Sequence, residues 1–339
     1  MRSCICWKRE SHFLSDDAFG SLGLLHFTPS AFILHHRMHP GSATTPLPAR
    51  TPSGKTETIH ALIEWGTECL RLQGVDEARL NVELLLAHVL QLKRIDLYTN
   101  FDRPLTGDQV AGFKTLIDRR TKREPLQYIM GETEFMGIPL YVDKSVLIPR
   151  PETEELVEKT LDVIRPSGKE SPTVLDIGTG SGNIPIALKV FAPNASVISI
   201  DFSSAALATA ARNLERHRIT SVKLLHADVF TDFIPGQQFD IIVANPPYVS
   251  SEEFASLQPE VRDFEPRCAT TDEGDGYRFT RRIAEVAASR LTPSGWLLME
   301  IGYGQAEEAR QIVAGAGLAA CETFDDHQGI PRIIMVRRT

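Results

Sequence analysis

Asn245-Pro246-Pro247-Tyr248 carries the residue types best suited to chemistry on a planar nitrogen. The Asn245 side-chain oxygen can accept one N–H of a flat NH2 group, and the Pro246 carbonyl can accept the other. The two prolines stiffen the backbone, so both acceptors are in place before a substrate arrives. The Tyr248 ring offers a flat surface on which an amide or a base could stack. A nitrogen held in this way, about 3–3.5 Å from an electrophilic carbon, needs positioning more than it needs a strong base. The alternative is a proline-rich turn at a strand end with no chemical role.

The electrophile is read from a second motif. Gly178-Thr179-Gly180-Ser181-Gly182 follows the apolar run Val174-Leu175-Asp176-Ile177, and a helix is expected from near Ile184. A glycine-rich turn between strand and helix lets a ligand lie against bare backbone. By itself this turn admits S-adenosylmethionine, a dinucleotide or a purely structural role. The next strands discriminate. Ser199-Ile200-Asp201 ends in a carboxylate about 20 residues after the glycines, where it can accept from both ribose hydroxyls. Leu225-His226-Ala227-Asp228-Val229 ends a third strand with another acid, which in S-adenosylmethionine enzymes sits by the exocyclic amine of adenine. Acids after three successive strands (Asp176, Asp201, Asp228) suit a sulfonium cofactor that has no phosphate. Each acid keeps a structural alternative, strongest for Asp176, whose carboxylate could bond the amides of the glycine loop. Methyl transfer from S-adenosylmethionine to an amide or amino nitrogen is the chemistry these motifs describe together.

Such motifs must sit on a sheet. Strands are predicted at Thr173-Ile177, Ser196-Ile200, Val222-His226, Phe239-Ala244 and Trp296-Ile301, with Arg332-Val336 last. Helices are predicted to start near Glu152, Ile184, Ser204, Tyr277 and Gln305. This alternation describes an α/β fold, a doubly wound and mostly parallel sheet, with ligands outside the carboxyl ends of its strands. Upstream, Ile59, Leu62, Ile63 and Leu70, then Leu80, Leu84, Leu85 and Val89, then Val110, Phe113, Leu116 and Ile117 recur at helical spacing. They describe a small helical unit whose stripes form a core. Between Gly131 and Val146 the period shifts toward two, which describes a β-hairpin with Gly137 near its turn.

Bulk properties narrow the classes. The chain of 339 residues has 42% hydrophobic and 24% charged residues, ordinary for a globular protein. No apolar run reaches the length of a membrane span. A net charge of -8 argues against a main role gripping duplex phosphate. The five cysteines are odd in number and none is spaced as C-x-x-C, so neither a disulfide framework nor a metal site is expected. Residues 1–55 sustain no period. They are read as a disordered tail or as sequence upstream of a true start at Met38, with a targeting segment as the alternative.

Three further segments carry a family resemblance. Arg123-Glu124-Pro125-Leu126-Gln127-Tyr128-Ile129, then Gly131-Glu132-Thr133-Glu134-Phe135, and then Val146-Leu147-Ile148-Pro149-Arg150-Pro151-Glu152-Thr153-Glu154 lie ahead of the first strand. With Asn-Pro-Pro-Tyr, they resemble the PrmC/HemK family, the protein-(glutamine-N5) methyltransferases of peptide-chain release factors. The resemblance covers about Thr56 to the C-terminus. It implies a class I, Rossmann-like S-adenosylmethionine-dependent methyltransferase sheet with a small N-terminal helical domain joined by a β-hairpin. The implied boundaries are 56–128 for a helical substrate-recognition domain, 129–147 for the hairpin linker and 148–339 for the methyltransferase domain. It further implies that Gly178, Thr179, Gly180, Ser181, Gly182, Asp201, Asp228, Val229 and Asn245 contact the cofactor. Asn245, Pro246, Pro247 and Tyr248 would hold the substrate, with Asn245, Pro246 and Tyr248 catalytic. That substrate would be the glutamine in the Gly-Gly-Gln loop of class I release factors. Some members have a large aromatic residue where Val229 stands.

Other residues are less decided. Arg150 and Glu152 could line the cofactor pocket or form a buried ion pair. Asp263, Glu265 and Arg267 could close over a substrate or be a solvated charge run. His226 reads as ordinary packing. The competing functions are a nucleic-acid adenine-N6 methyltransferase, which would need base flipping and a basic recognition domain, and a cofactor-binding scaffold. The expected protein is a cytoplasmic monomer with no membrane and no stable nucleic-acid partner. It would be mitochondrial or plastid if residues 1–55 are a transit segment.

Overall fold

The computed structural model describes residues 57–231, 237–318 and 321–339; the expectations for residues 1–55 lie outside the described residues. The chain begins there with α1 (Ile59–Leu72), α2 (Ala78–Leu90), α3 (Arg94–Thr99), α4 (Gly107–Thr121) and α5 (Leu126–Met130). The predicted stripes meet: Leu62, Ile63, Leu70, Leu85, Phe113 and Ile117 are all buried in one core. Thr106 caps α4 by accepting from the Gln109 amide, and the Gln109 side chain returns the bond, which fixes where the helix starts. The short helices α3 and α5 were not expected. Neither is long enough to show a period.

β1 (Glu132–Phe135) and β2 (Ile138–Tyr141) form an antiparallel hairpin that turns at Met136-Gly137, with both residues at positive φ. The remainder alternates: α6 (Pro151–Ile164), β3 (Thr173–Ile177), α7 (Asn183–Phe191), β4 (Ser196–Asp201), α8 (Ser204–Arg216), β5 (Val222–His226) and β6 (Phe239–Ala244). Three short helices follow, α9 (Ser251–Phe254), α10 (Pro259–Phe264) and α11 (Arg267–Thr270). The chain ends with α12 (Arg278–Arg290), β7 (Leu291–Glu300), α13 (Ala306–Gly315), β8 (Cys321–Asp325) and β9 (Pro331–Arg337). No helix among the described residues is long and apolar enough to cross a membrane.

The seven-stranded sheet has the order β5-β4-β3-β6-β7-β9-β8. Its first five strands are parallel, and β9 and β8 run antiparallel. Apolar layers cover both faces, one with α6 and α7 and one with α12 and α13. The order reverses between β3 and β6, so the two loops leaving these strands part around a crevice.

Two expectations about the sheet are corrected. β7 starts at Leu291 rather than Trp296, and β8 is an additional strand before the one read as last. β8 is an edge strand reading Cys-Glu-Thr-Phe-Asp, too polar to show a buried run.

The helical unit is tied to the region after β6 through charge. Glu260 of α10 accepts from both terminal nitrogens of Arg120, at 3.0 Å, and from Arg123 at 2.8 Å. Arg120 is only 7% exposed, and it donates further to Asn81 and the Glu124 carbonyl. Removing one partner of such a pair leaves a buried charge without compensation. Glu260→Ala is expected to destabilise the protein by about 2–3 kcal/mol. Glu260→Gln should cost less, because it keeps an acceptor. Denaturant unfolding of both variants checks this.

Candidate functional site

Ile177 pairs with Ala244, so the loops beginning at Gly178 and Asn245 leave the sheet side by side. A Cβ placed on Gly178 would stand 3.9 Å from the Asn245 carbonyl oxygen. A cavity of about 310 Å³ opens where the loops part.

One half of its wall is the glycine loop. The Gly178 and Thr179 amides donate to the Ile200 carbonyl at 2.9 and 3.0 Å. The Gly180 amide donates to Asp201 Oδ2, and the Ser203 amide to Asp201 Oδ1, each at 2.9 Å. Asp201 therefore braces the loop, and each of its oxygens retains a lone pair. Burial pushes its carboxyl above the usual range, and the Ser203 and Gly180 amides oppose that rise. Asn213 of α8 is fully buried. Its Nδ2 donates to the Ser181 and Tyr141 carbonyls at 2.9 Å, and its Oδ1 accepts from the Tyr141 amide at 2.7 Å. It thus joins the hairpin to the glycine loop. Sequence reading missed Asn213, because an asparagine inside an amphipathic helix carries no spacing signal.

Gly178, Thr179, Gly180 and Ser181 line the cavity, as do Asp201, Asp228 and Val229. Gly182 does not. It sits at φ +81, and a Cβ there would come within 3.3 Å of Ala210. Its lack of a side chain serves the close approach of α8 rather than the ligand. Asp228 is exposed and accepts from the Phe230 amide at 2.9 Å. Val229, Phe202 and Phe279 give the cavity apolar walls.

These walls fit S-adenosylmethionine. Bare backbone and the N-terminus of α7 suit its carboxylate. Asp201 suits the ribose, and the apolar side chains suit the adenine. A dinucleotide phosphate fits less well. Arg150 and Arg278 are the lysines and arginines on the wall among the described residues; Arg150 is paired with a carboxylate, and Arg278 stacks on Phe230.

Asp176 does not bond the loop amides, which corrects one of its two readings. It is fully buried behind the loop, and neither oxygen has a hydrogen bond of acceptable geometry, although the Thr179 and Ser199 hydroxyls lie beside it. Burial raises its pKa from 3.8 to about 7, the two hydroxyls resist the rise, and the Asp201 charge adds to it. For an acid shifted upward, stabilisation is complete below the unfolded pKa and is lost as pH rises through the folded one. Replacing Asp176 with a neutral isostere should therefore help more at high pH. Asp176→Asn is expected to melt higher, relative to the parent, at about pH 8 than at about pH 5. Thermal melts at the two pH values test it.

The other half of the wall is the tetrapeptide. Asn245, Pro246 and Pro247 line the cavity. Asn245 Nδ2 donates to Thr153 Oγ1 at 2.8 Å, and Thr153 Oγ1 donates to Glu300 Oε2 at 2.7 Å. Glu300 ends β7 and is 1% exposed. Burial pushes it up to about 7, and the Thr153 hydroxyl pulls the other way. Thr153 and Glu300 were missed as site residues. The available signals were an acid closing an apolar strand and a threonine inside Arg-Pro-Glu-Thr.

Tyr248 departs from expectation, because it does not line the cavity. Its hydroxyl donates to Glu300 Oε1 at 3.3 Å, and its carbonyl accepts from Gln305 Nε2 at 2.9 Å. Burial raises its pKa far beyond the phenol range. The ring lies against Gly302, where a Cβ would meet Tyr248 Cδ2 at 3.1 Å, and a Cβ on Gly276 would meet the Tyr248 carbonyl at 2.8 Å. Close packing on both sides holds the strand-end turn in place.

The less decided residues also resolve. Arg150 lines the cavity and forms an ion pair, but with Glu265 at 2.6 Å rather than with Glu152. The run around Glu265 splits: Glu265 is buried, whereas Asp263 and Arg267 make exposed pairs with Arg262 and Glu273. His226 is exposed, not packed, and its Nε2 lies 2.8 Å from the Phe202 carbonyl.

Comparison with known proteins shows the family. Residues 61–131 match the model of the PrmC N-terminal domain, and residues 155–258 match that of the methyltransferase small domain. A release factor glutamine methyltransferase of Geobacter sulfurreducens is 43% identical over 82% of this chain and 95% of its own length. One of Rhodopirellula baltica is 41% identical over 86% of this chain and 99% of its own. A solved protein-(glutamine-N5) methyltransferase from Alicyclobacillus acidocaldarius is 28% identical, covering 59% of this chain and 99% of that one, with a TM-score of 0.36.

Proposed function

The chain belongs to the release factor glutamine methyltransferases, and on that premise we propose how its cavity performs the reaction. The protein transfers a methyl group from S-adenosylmethionine to the side-chain amide nitrogen of a release-factor glutamine. The acceptor is the glutamine of the Gly-Gly-Gln loop in class I factors. The observation that carries the geometry is Asn245 on the cavity wall beside the glycine loop, with its Nδ2 already bonded to Thr153.

S-adenosylmethionine, when bound, would supply the methyl as an electrophile, its C–S electron pair leaving with sulfur. Gly178, Thr179, Gly180 and Ser181 would hold the cofactor against bare backbone, Asp201 would accept from its ribose, and Asp228 and Val229 would lie toward the adenine. Gly182 supports the loop from behind. The Asn245 Oδ1 and the Pro246 carbonyl accept the two N–H bonds of the substrate amide, so the nitrogen faces the methyl. Pro247 shapes the floor of the cavity. Tyr248, from its place behind the wall, anchors the turn rather than stacking on the glutamine. The new N–C bond forms first, and the surplus proton then leaves the nitrogen for water.

The helical unit α1–α5 serves as the substrate-recognition domain, β1–β2 as its linker and the remainder as the methyltransferase domain. The same reading makes the protein a monomer without a stable nucleic-acid partner, working in the cytoplasm beside its substrate. The adenine-N6 alternative is not favoured.

Labelled methyl transfer tests the reading. The substrates are a purified class I release factor, the same factor with its Gly-Gly-Gln glutamine changed to alanine, and duplex DNA. Label on the unmodified factor alone is expected. Label on DNA, with none on the factor, would overturn it.

A further inference from the structure

We propose that Thr153 and Glu300 are positioning residues that set which way the Asn245 amide faces, and so determine that this site accepts an NH2 group. The proposal rests on the reading of Asn245 as the substrate acceptor. An asparagine amide can turn by half a rotation with little change in shape, exchanging its oxygen for its NH2. Only one orientation presents an acceptor to the cavity. The other would present a donor, which repels the N–H bonds of a glutamine amide.

The hydrogen-bond count selects between them. Thr153 has one hydroxyl proton, and Glu300 Oε2 takes it at 2.7 Å. Towards Asn245, Thr153 therefore offers a lone pair alone. Only Nδ2 can satisfy that lone pair, and it does so at 2.8 Å. Oδ1 is left to face the cavity. Glu300 is kept in place by the sheet: Met299 pairs with Ala244, and Glu300 with Ile333. Tyr248 occupies its other oxygen at 3.3 Å. One buried carboxylate thus aligns both ends of the tetrapeptide, directly through Tyr248 and through Thr153 for Asn245. Thr153 sits in the first turn of α6, and a Pro at the start of that helix fixes its backbone.

The test compares Thr153→Val, which keeps shape and loses the hydroxyl, with Thr153→Ser, which keeps the hydroxyl. Glu300→Leu, which removes the acceptor, is a second lesion should Thr153→Val fold poorly. Assays run above about pH 8, on the alkaline side of the raised Glu300 carboxyl. Thr153→Val is expected to lower kcat on the release factor about 10–100-fold, with KM and the Kd for S-adenosylmethionine within about twofold. Thr153→Ser should restore most of the rate, and Glu300→Leu should share the loss.

A substrate-free readout separates this inference from the functional one. In nitrogen-labelled protein, the Asn245 side-chain NH2 signal, assigned by its loss in Asn245→Asp, should exchange slowly with solvent. It should exchange fast in Thr153→Val. Slow exchange in both proteins, or equal kcat in both, overturns the proposal. A parent that leaves the release factor unmethylated yet shows the protection sinks only the functional reading.

Discussion

Replacing Asn245 by alanine is expected to lower kcat on the release factor about 10²–10³-fold, while the Kd for S-adenosylmethionine stays within about threefold. Alanine removes the Oδ1 acceptor and leaves the Pro246 carbonyl as the sole partner of the substrate amide. A nitrogen held by one bond rotates, and the fraction of time spent in line with the methyl falls. Binding of the release factor draws on a surface much larger than one side chain, so KM should change little. Alanine also strips Thr153 of its donor, but the Thr153–Glu300 bond at 2.7 Å remains, so the fold should be undisturbed. Single-turnover methylation with preloaded cofactor measures the effect. A kcat within about threefold of the parent would show that the amide is held elsewhere.

The second large effect falls on the cofactor. Asp201→Ala is expected to weaken S-adenosylmethionine binding about 10²-fold, as calorimetric titration would read. Two losses combine. The ribose hydroxyls lose a charged acceptor, and hydrogen bonds to charged groups are worth about 1.5–3 kcal/mol. The glycine loop also loses its brace, because Gly180 and Ser203 both donate to this carboxylate at 2.9 Å. Asp201→Asn keeps one acceptor oxygen and turns a donor on one of the two amides. It should fall between, at about tenfold. Equal affinity for Asp201→Ala and the parent would remove Asp201 from the cofactor site.

The two predictions separate the halves of the cavity, one acting on rate and the other on affinity. That separation reflects the sheet. The glycine loop and Asp201 follow β3 and β4, whereas Asn245 follows β6, across the point where the strand order reverses. The groups proposed for cofactor and for substrate therefore come from different loops that line the same crevice.

The sequence by itself determined the parts whose meaning is local. A glycine turn after an apolar strand, acids closing the next strands, and Asn-Pro-Pro-Tyr after another strand can each be recognised within a few residues, and most of them line one cavity. Backbone conformation and side-chain type suffice to state it. The core of the helical unit was legible for a related reason, since Leu62, Leu85 and Phe113 each belong to a run spaced at the period of a helix that buries one face. What only the tertiary structure decided is everything that depends on a distant partner. Tyr248 looked like a stacking surface, yet the sheet brings it to Glu300, 52 positions away, and turns it out of the cavity. Arg150 found Glu265, 115 positions on, instead of its neighbour Glu152. Thr153 reached Glu300 across 147 positions and Asn245 across 92. Gly182 lies off the cavity wall, and α8 passes within 3.3 Å of where its Cβ would be. Local chemistry follows from residue type. The pairing of buried polar groups follows from which strand ends the sheet makes neighbours, and linear spacing does not encode that order.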